Sequence, residues 1–70
     1  MKLVKVTWYD ITAQLHTEEN IMPVKAYSVG WIESNTKKYL RLFTSYYEDG
    51  CSLKDKIVIP KGCIDKVEEL

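Results

Sequence analysis

His16 is the single histidine of this 70-residue chain, and Cys51 and Cys63 are its two thiols. A nucleophilic catalyst needs a thiol or hydroxyl beside a base, with a third group to orient that base. His16 lies in a polar run, and neither cysteine sits in a recognisable nucleophile context. A metal site needs preorganised ligand pairs such as C-x-x-C or H-x-x-x-H, and these three residues are far apart in sequence. The carboxylate pairs Glu18-Glu19 and Glu48-Asp49 are chain neighbours. Paired acid and base work needs two carboxyls across a substrate in different environments, so these pairs read as solvated. Asp10 closes the run Trp8-Tyr9-Asp10, where a carboxylate can bond loop amides or accept from a ligand; the turn-stabilising role carries more weight. The three glycines form no phosphate loop. Lys61-Gly62 alone resembles a phosphate contact, a lysine charge beside backbone amides, and a tight turn accounts for it equally well. The expectation is a non-enzyme with no cofactor and no metal.

The aromatic residues are the stronger lead. Two Trp, five Tyr and one Phe are too many for the core of so short a chain. Trp8 and the face carrying Tyr27, Val29 and Trp31 are expected to fill the core, leaving Tyr9, Tyr46 and Tyr47 at the surface or an interface. Exposed aromatics can stack nucleobases, at ~1–3 kcal/mol each. They can line a groove for a proline-rich peptide, or they can bury one another across an oligomer contact.

Ten Lys and Arg balance ten Asp and Glu. Zero formal charge disfavours a duplex binder, whose affinity comes from neutralising phosphates. Lys37, Lys38 and Arg41 form the one local basic cluster, which becomes a basic face if it aligns with Lys54 and Lys56. No apolar run reaches the length of a secretory or membrane-spanning segment. The sequence therefore points to a cytosolic location, reduced thiols and no membrane partner.

These residues must be positioned by strands. Val4, Val6 and Trp8 alternate with Lys5, Thr7 and Tyr9, the period of a half-buried strand. Residues 11–23 have no clean period and read as a long polar loop holding His16, with an irregular hairpin as the alternative. A second strand sets Tyr27, Val29 and Trp31 on one face; Gly30 within it signals a bulge, a bend or close approach by another backbone or a ligand. Ser34-Asn35-Thr36-Lys37 makes a turn into a third strand over 38–44, with Leu40 and Leu42 on one face and Tyr39, Arg41 and Phe43 on the other. Glu48-Asp49-Gly50 is a turn signature. Ile57-Val58-Ile59 is a fourth strand stopped by Pro60, and Lys61-Gly62-Cys63 turns, with a short 3₁₀ segment, into a last strand from Ile64 to about Glu69.

Residues 1–70 thus form a single all-β domain of five short strands. The connections follow the pattern of a small Src-homology-3-like (SH3-like) barrel, with a long first loop opening at Tyr9-Asp10 and a 3₁₀ turn before the last strand. Closure would also remove exposed strand edges. A proline-rich peptide groove of that fold's kind would use Tyr9, Trp31 and Pro60, but the closely spaced tyrosines of the first loop are missing.

Trp8-Tyr9-Asp10, Ser28-Val29-Gly30-Trp31 and Ile59-Pro60-Lys61-Gly62-Cys63-Ile64 together resemble a group of short, uncharacterised bacteriophage proteins with a Trp-x-Asp, VGW and IPKGCI pattern. The resemblance implies a phage accessory protein in the host cytosol, acting against a host defence system. It would sequester a small nucleotide-like signal or block a host protein, and the pocket would be shared in a homo-oligomer. The candidate ligand-binding residues are Tyr9, Asp10, His16, Gly30, Trp31, Lys61 and Gly62. The rival readings are a single-stranded nucleic-acid binder using Lys37, Lys38, Arg41 and the tyrosines, and a peptide-binding module.

Overall fold

A computed structural model describes residues 1–14, 23–50 and 52–70, with side chains described outside 11–14. Five strands run in chain order: β1 (Leu3–Gln14), β2 (Pro23–Asn35), β3 (Tyr39–Tyr46), β4 (Leu53–Pro60) and β5 (Ile64–Glu69). A 3₁₀ turn, Lys61–Cys63, joins the last two, starting where Pro60 ends β4. The strands form one antiparallel sheet in the order β4-β3-β2-β1-β5.

The all-β class, the five strands and the 3₁₀ turn agree with the sequence reading, but the SH3-like barrel does not. Among the described residues β4 pairs only with β3, and β5 only with β1. The sheet is therefore open, with β4 and β5 as its two edges. β1 runs on to Gln14, which pairs with Pro23 after a register shift beyond Asp10; the rest of the expected first loop lies outside the described residues. His16 lies outside the described residues.

Local chemistry explains the turns. At the β2–β3 connection the Thr36 hydroxyl accepts from the Tyr39 amide at 3.1 Å and the Lys38 amide at 3.3 Å. The Thr36 amide donates to the Tyr39 carbonyl at 2.9 Å. Between β3 and β4, Gly50 takes φ +73°, a conformation that strains any residue with a Cβ. Its amide donates to the Tyr47 carbonyl at 2.9 Å, and the Tyr47 amide donates to the Ser52 carbonyl at 3.0 Å.

The core lies on one face. Val4 and Val6 of β1, Leu40 and Leu42 of β3 and Ile59 of β4 are buried together, with Trp8, Ile32, Ile57 and Ile64 packed around them. All five strands contribute, including both edges, so the open sheet curls over its own core. The expectation that Tyr27, Val29 and Trp31 fill the core fails. Tyr27 is 60% exposed and Val29 48% exposed. Register gives the reason: Val4 pairs with Gly30 and Val6 with Ser28, so the buried face of β2 carries its small residues and the bulky ones point the other way.

Gly30 shows how the curl is achieved. A Cβ added there would lie 2.7 Å from the Phe43 carbonyl oxygen and 3.3 Å from the Leu42 Cβ. In a flat sheet a neighbouring strand lies beside the residue, about 4.8 Å away, not over its Cβ. β3 therefore folds toward the core at Gly30. The β2–β3 register shifts just beyond, between Ile32 and Ser34, leaving Glu33 as an extra residue. Of the roles the sequence left open for Gly30, close approach by another backbone is the one observed. Replacing Gly30 with Ala sets a methyl against backbone that cannot yield. We expect Gly30→Ala to lose about 1–3 kcal/mol of stability, read from urea unfolding; an unchanged midpoint would show that β3 does not press on this site.

Candidate functional site

The face opposite the core carries a second, aromatic cluster. Trp31 pairs with Phe43 across the β2–β3 ladder, and their rings stack at 5.5 Å with 24° between planes. Tyr46 meets Trp31 edge-on at 5.3 Å and 74°. Phe43 is fully buried beneath this cover, whereas Tyr46 remains 56% exposed. Met1, Trp31, Phe43, Tyr46 and Gly50 wall an open cleft of about 210 Å³. The β3–β4 turn sets its rim. Asp49 accepts from the Ser52 amide at 3.0 Å through Oδ1 and from the Ser52 hydroxyl at 3.1 Å through Oδ2, which holds Gly50 in place.

Cations flank this aromatic surface. Arg41 pairs with Val58 and Phe43 with Lys56, so side-chain alternation places Arg41 and Lys56 on the face that carries Phe43, and Lys54 follows on β4 opposite Ser45. Arg41 lies 5.3 Å over the Tyr39 ring and Lys54 5.9 Å over Tyr47. Lys56 donates to Glu33 Oε1 at 3.1 Å. Glu33 Oε2 is buried with no hydrogen-bond partner among the described residues, so this ion pair carries the compensation for burying the carboxylate.

The candidates drawn from the sequence do not gather at one place. Gly30 and Trp31 sit together on β2, Trp31 in the cleft wall and Gly30 under β3. Tyr9 and Asp10 lie farther along the β1–β2 ladder, opposite Lys25 and Val24. Trp31 pairs with Leu3, so Tyr9 is six residues away on β1, roughly 20 Å at the strand rise. Lys61 and Gly62 occupy the 3₁₀ turn. There Lys61 Nζ donates to Asn35 Oδ1, and the Lys61 amide donates to the Lys38 carbonyl at 2.9 Å. Those bonds give Lys61 a role in tying the 3₁₀ turn to the β2–β3 end. His16 and Cys51 are outside the described residues; Cys63 is a half-buried free thiol. Among the described residues no group of three His, Cys, Asp or Glu converges to hold a metal. No helix among them is long and apolar enough to cross a membrane.

Sequence reasoning missed Met1, Phe43 and Gly50 as cleft residues. Surplus aromatic content did flag Tyr46 and Tyr47 as exposed, and both are. No residue pattern joined Trp31 to Tyr46, because their contact arises from the fold of β3 over β2.

No family model matches the chain, and no curated protein or solved structure matches it. The bacteriophage resemblance, with the anti-defence role and host-cytosol location it implied, thus gains no support from known proteins and rests on its short motifs alone. The two aromatics flanking Trp31 carry separable loads. Phe43→Leu is expected to cost about 1–2 kcal/mol through imperfect refilling of a buried site. Tyr46→Ser is expected to cost no more than about 1 kcal/mol, the worth of one exposed ring contact. Urea unfolding of both variants checks the order; equal losses would contradict the burial difference.

Proposed function

We propose that the protein is a non-enzymatic binding module whose ligand is a small nucleotide-like molecule held by its base in the Trp31 cleft. The observation that carries this reading is an open cleft walled by Trp31, Phe43 and Tyr46, with Arg41 and Lys56 on the sheet face that carries Phe43. A cleft of about 210 Å³ suits one planar ring system. It is smaller than the ~300 Å³ and more that a drug-sized ligand occupies. Trp31 offers a stacking surface with Tyr46 edge-on to it, and a base on such a platform gains ~1–3 kcal/mol. Lys54, over the Tyr47 ring at the β3–β4 turn that rims the cleft, is the cation assigned to a phosphate, since it lacks the carboxylate that engages Lys56.

The shared face of Arg41 and Lys56, with Lys54 further along the same ladder, favours a second reading, a single-stranded nucleic acid whose backbone tracks those cations while one base enters the cleft. Lys37 and Lys38 are in the β2–β3 turn and add charge toward one end of that track. A host-protein side chain filling the same cleft is the remaining occupant.

Titration of the tryptophan emission separates these readings. Mononucleotides, cyclic dinucleotides and a short single-stranded oligonucleotide are added in turn to wild type, Tyr46→Ser and Lys54→Gln. A saturable change with the small nucleotides, weakened roughly tenfold by Tyr46→Ser, is the expected result. Binding of the oligonucleotide alone, with affinity falling steeply as salt rises, would transfer the assignment to single strands. No change with any probe up to millimolar concentration would overturn both readings and leave the cleft to a protein partner.

A further inference from the structure

The two edges of the open sheet are unlike each other. β4 is guarded: Asp55 has φ +58° within it, interrupting the strand between Lys54 and Lys56, and Pro60 closes it. β5 has no proline and no positive-φ residue, and its one irregularity is a register shift near its start, where Asp65 is the extra residue between Lys66 and Ile64. Val67, in the middle of β5, pairs with the fully buried Val6 yet is itself 46% exposed.

The Leu70 amide donates to the Leu3 carbonyl at 3.0 Å, which sets the parity of the β1–β5 ladder. Backbone groups alternate in direction along an antiparallel strand, so Glu68 and Lys66 also point toward β1, while Val67 and Glu69 point outward. We propose that this free edge pairs antiparallel with β5 of a second copy of this chain, about a two-fold axis at Val67.

Charge selects that register. Outward-pointing residues must face one another in the new ladder, which restricts two-fold axes to Lys66, Val67 or Glu68. An axis at Lys66 sets Lys66 against its own copy, and an axis at Glu68 sets Glu68 against its own copy. Only the axis at Val67 sets Lys66 opposite Glu68, twice, in the pair type where side chains lie closest. Lys66 and Glu68 already approach within 3.7 Å on one chain, so the dimer would join two such pairs into an alternating square. The same register brings Asp65 toward Glu69 of the copy. The bulge displaces Asp65 from the regular ladder, and Lys2 sits 3.9 Å from Glu69 to offset its charge. Val67 meets its own copy beside the core, extending the apolar face that a domain this small is short of. The edge and the Trp31 cleft share no residue, so failure of one assignment leaves the other standing.

Sedimentation equilibrium over a wide concentration range tests the pairing. The wild type should rise from 8.2 kDa toward twice that mass. Lys66→Glu and Glu68→Lys should each weaken association by roughly tenfold or more, since either puts like charges opposite. The double variant Lys66→Glu/Glu68→Lys should restore it. Val67→Pro removes an amide that the monomer does not use, so it should keep its strand signal by circular dichroism and stay monomeric. A wild type that remains at monomer mass to millimolar concentration overturns the proposal. So does a dimer indifferent to Val67→Pro, or one that the double variant does not rescue.

Discussion

The Phe43 carbonyl oxygen, lying where a side chain at Gly30 would begin, is the constraint on which the rest of this structure depends. Sheets this small have too little surface to bury unless they bend, and a bend needs a place where one backbone can pass over another. Gly30 is that place, and the extra residue at Glu33 continues the turn of β2. With β3 folded over, Leu40 and Leu42 reach Val4 and Val6, and the sheet edges add Ile57 and Ile59 from β4 and Ile64 from β5 to the same cluster. The same fold presses Phe43 under Trp31 on the outer face. Core and cleft are thus two sides of one bend.

A curled sheet with a shared core falls short of a barrel because its edges do not meet in hydrogen bonds. The 3₁₀ turn carries the chain from β4 to β5, and their backbone ladders stay apart. An open edge exposes a row of donors and acceptors, which is a hazard unless managed. The chain treats its two edges differently. Backbone irregularity, lysines and a proline defend β4, whereas β5 sets a lysine and a glutamate on either side of one valine.

Electrostatics follow the same division. Net charge is zero, yet the cations are not spread evenly. Arg41 and Lys56 share the face of Phe43, and Arg41 and Lys54 lie over tyrosine rings, where the ring quadrupole favours a cation. The partly buried acid of this region, Glu33, is held by Lys56. Overall neutrality therefore understated how basic one surface is, because composition sums over faces that the fold separates.

Strand positions were largely legible in the sequence, since the period-2 alternation of β1, the turn chemistry at Thr36 and Gly50, and the proline stop at Pro60 are local effects. Local signals also marked the last strand at Ile64 and the 3₁₀ turn before it. They misjudged which face of β2 is buried, because Tyr27, Val29 and Trp31 look like core by residue type, whereas Ser28 and Gly30 are small enough for β1 and β3 to crowd over them. They also suggested closure where none occurs, since five strands in a meander-like order are compatible with open and closed sheets alike. The candidate site was half visible: Trp31 and the exposed tyrosines could be named, but not their meeting with Phe43 and Met1. What the sequence by itself determined was where the chain runs straight and where it turns, because backbone preferences act over a few residues. Which face is inside, which edge is free and which aromatics converge were decided by tertiary structure, because those outcomes depend on contacts between residues distant in the chain.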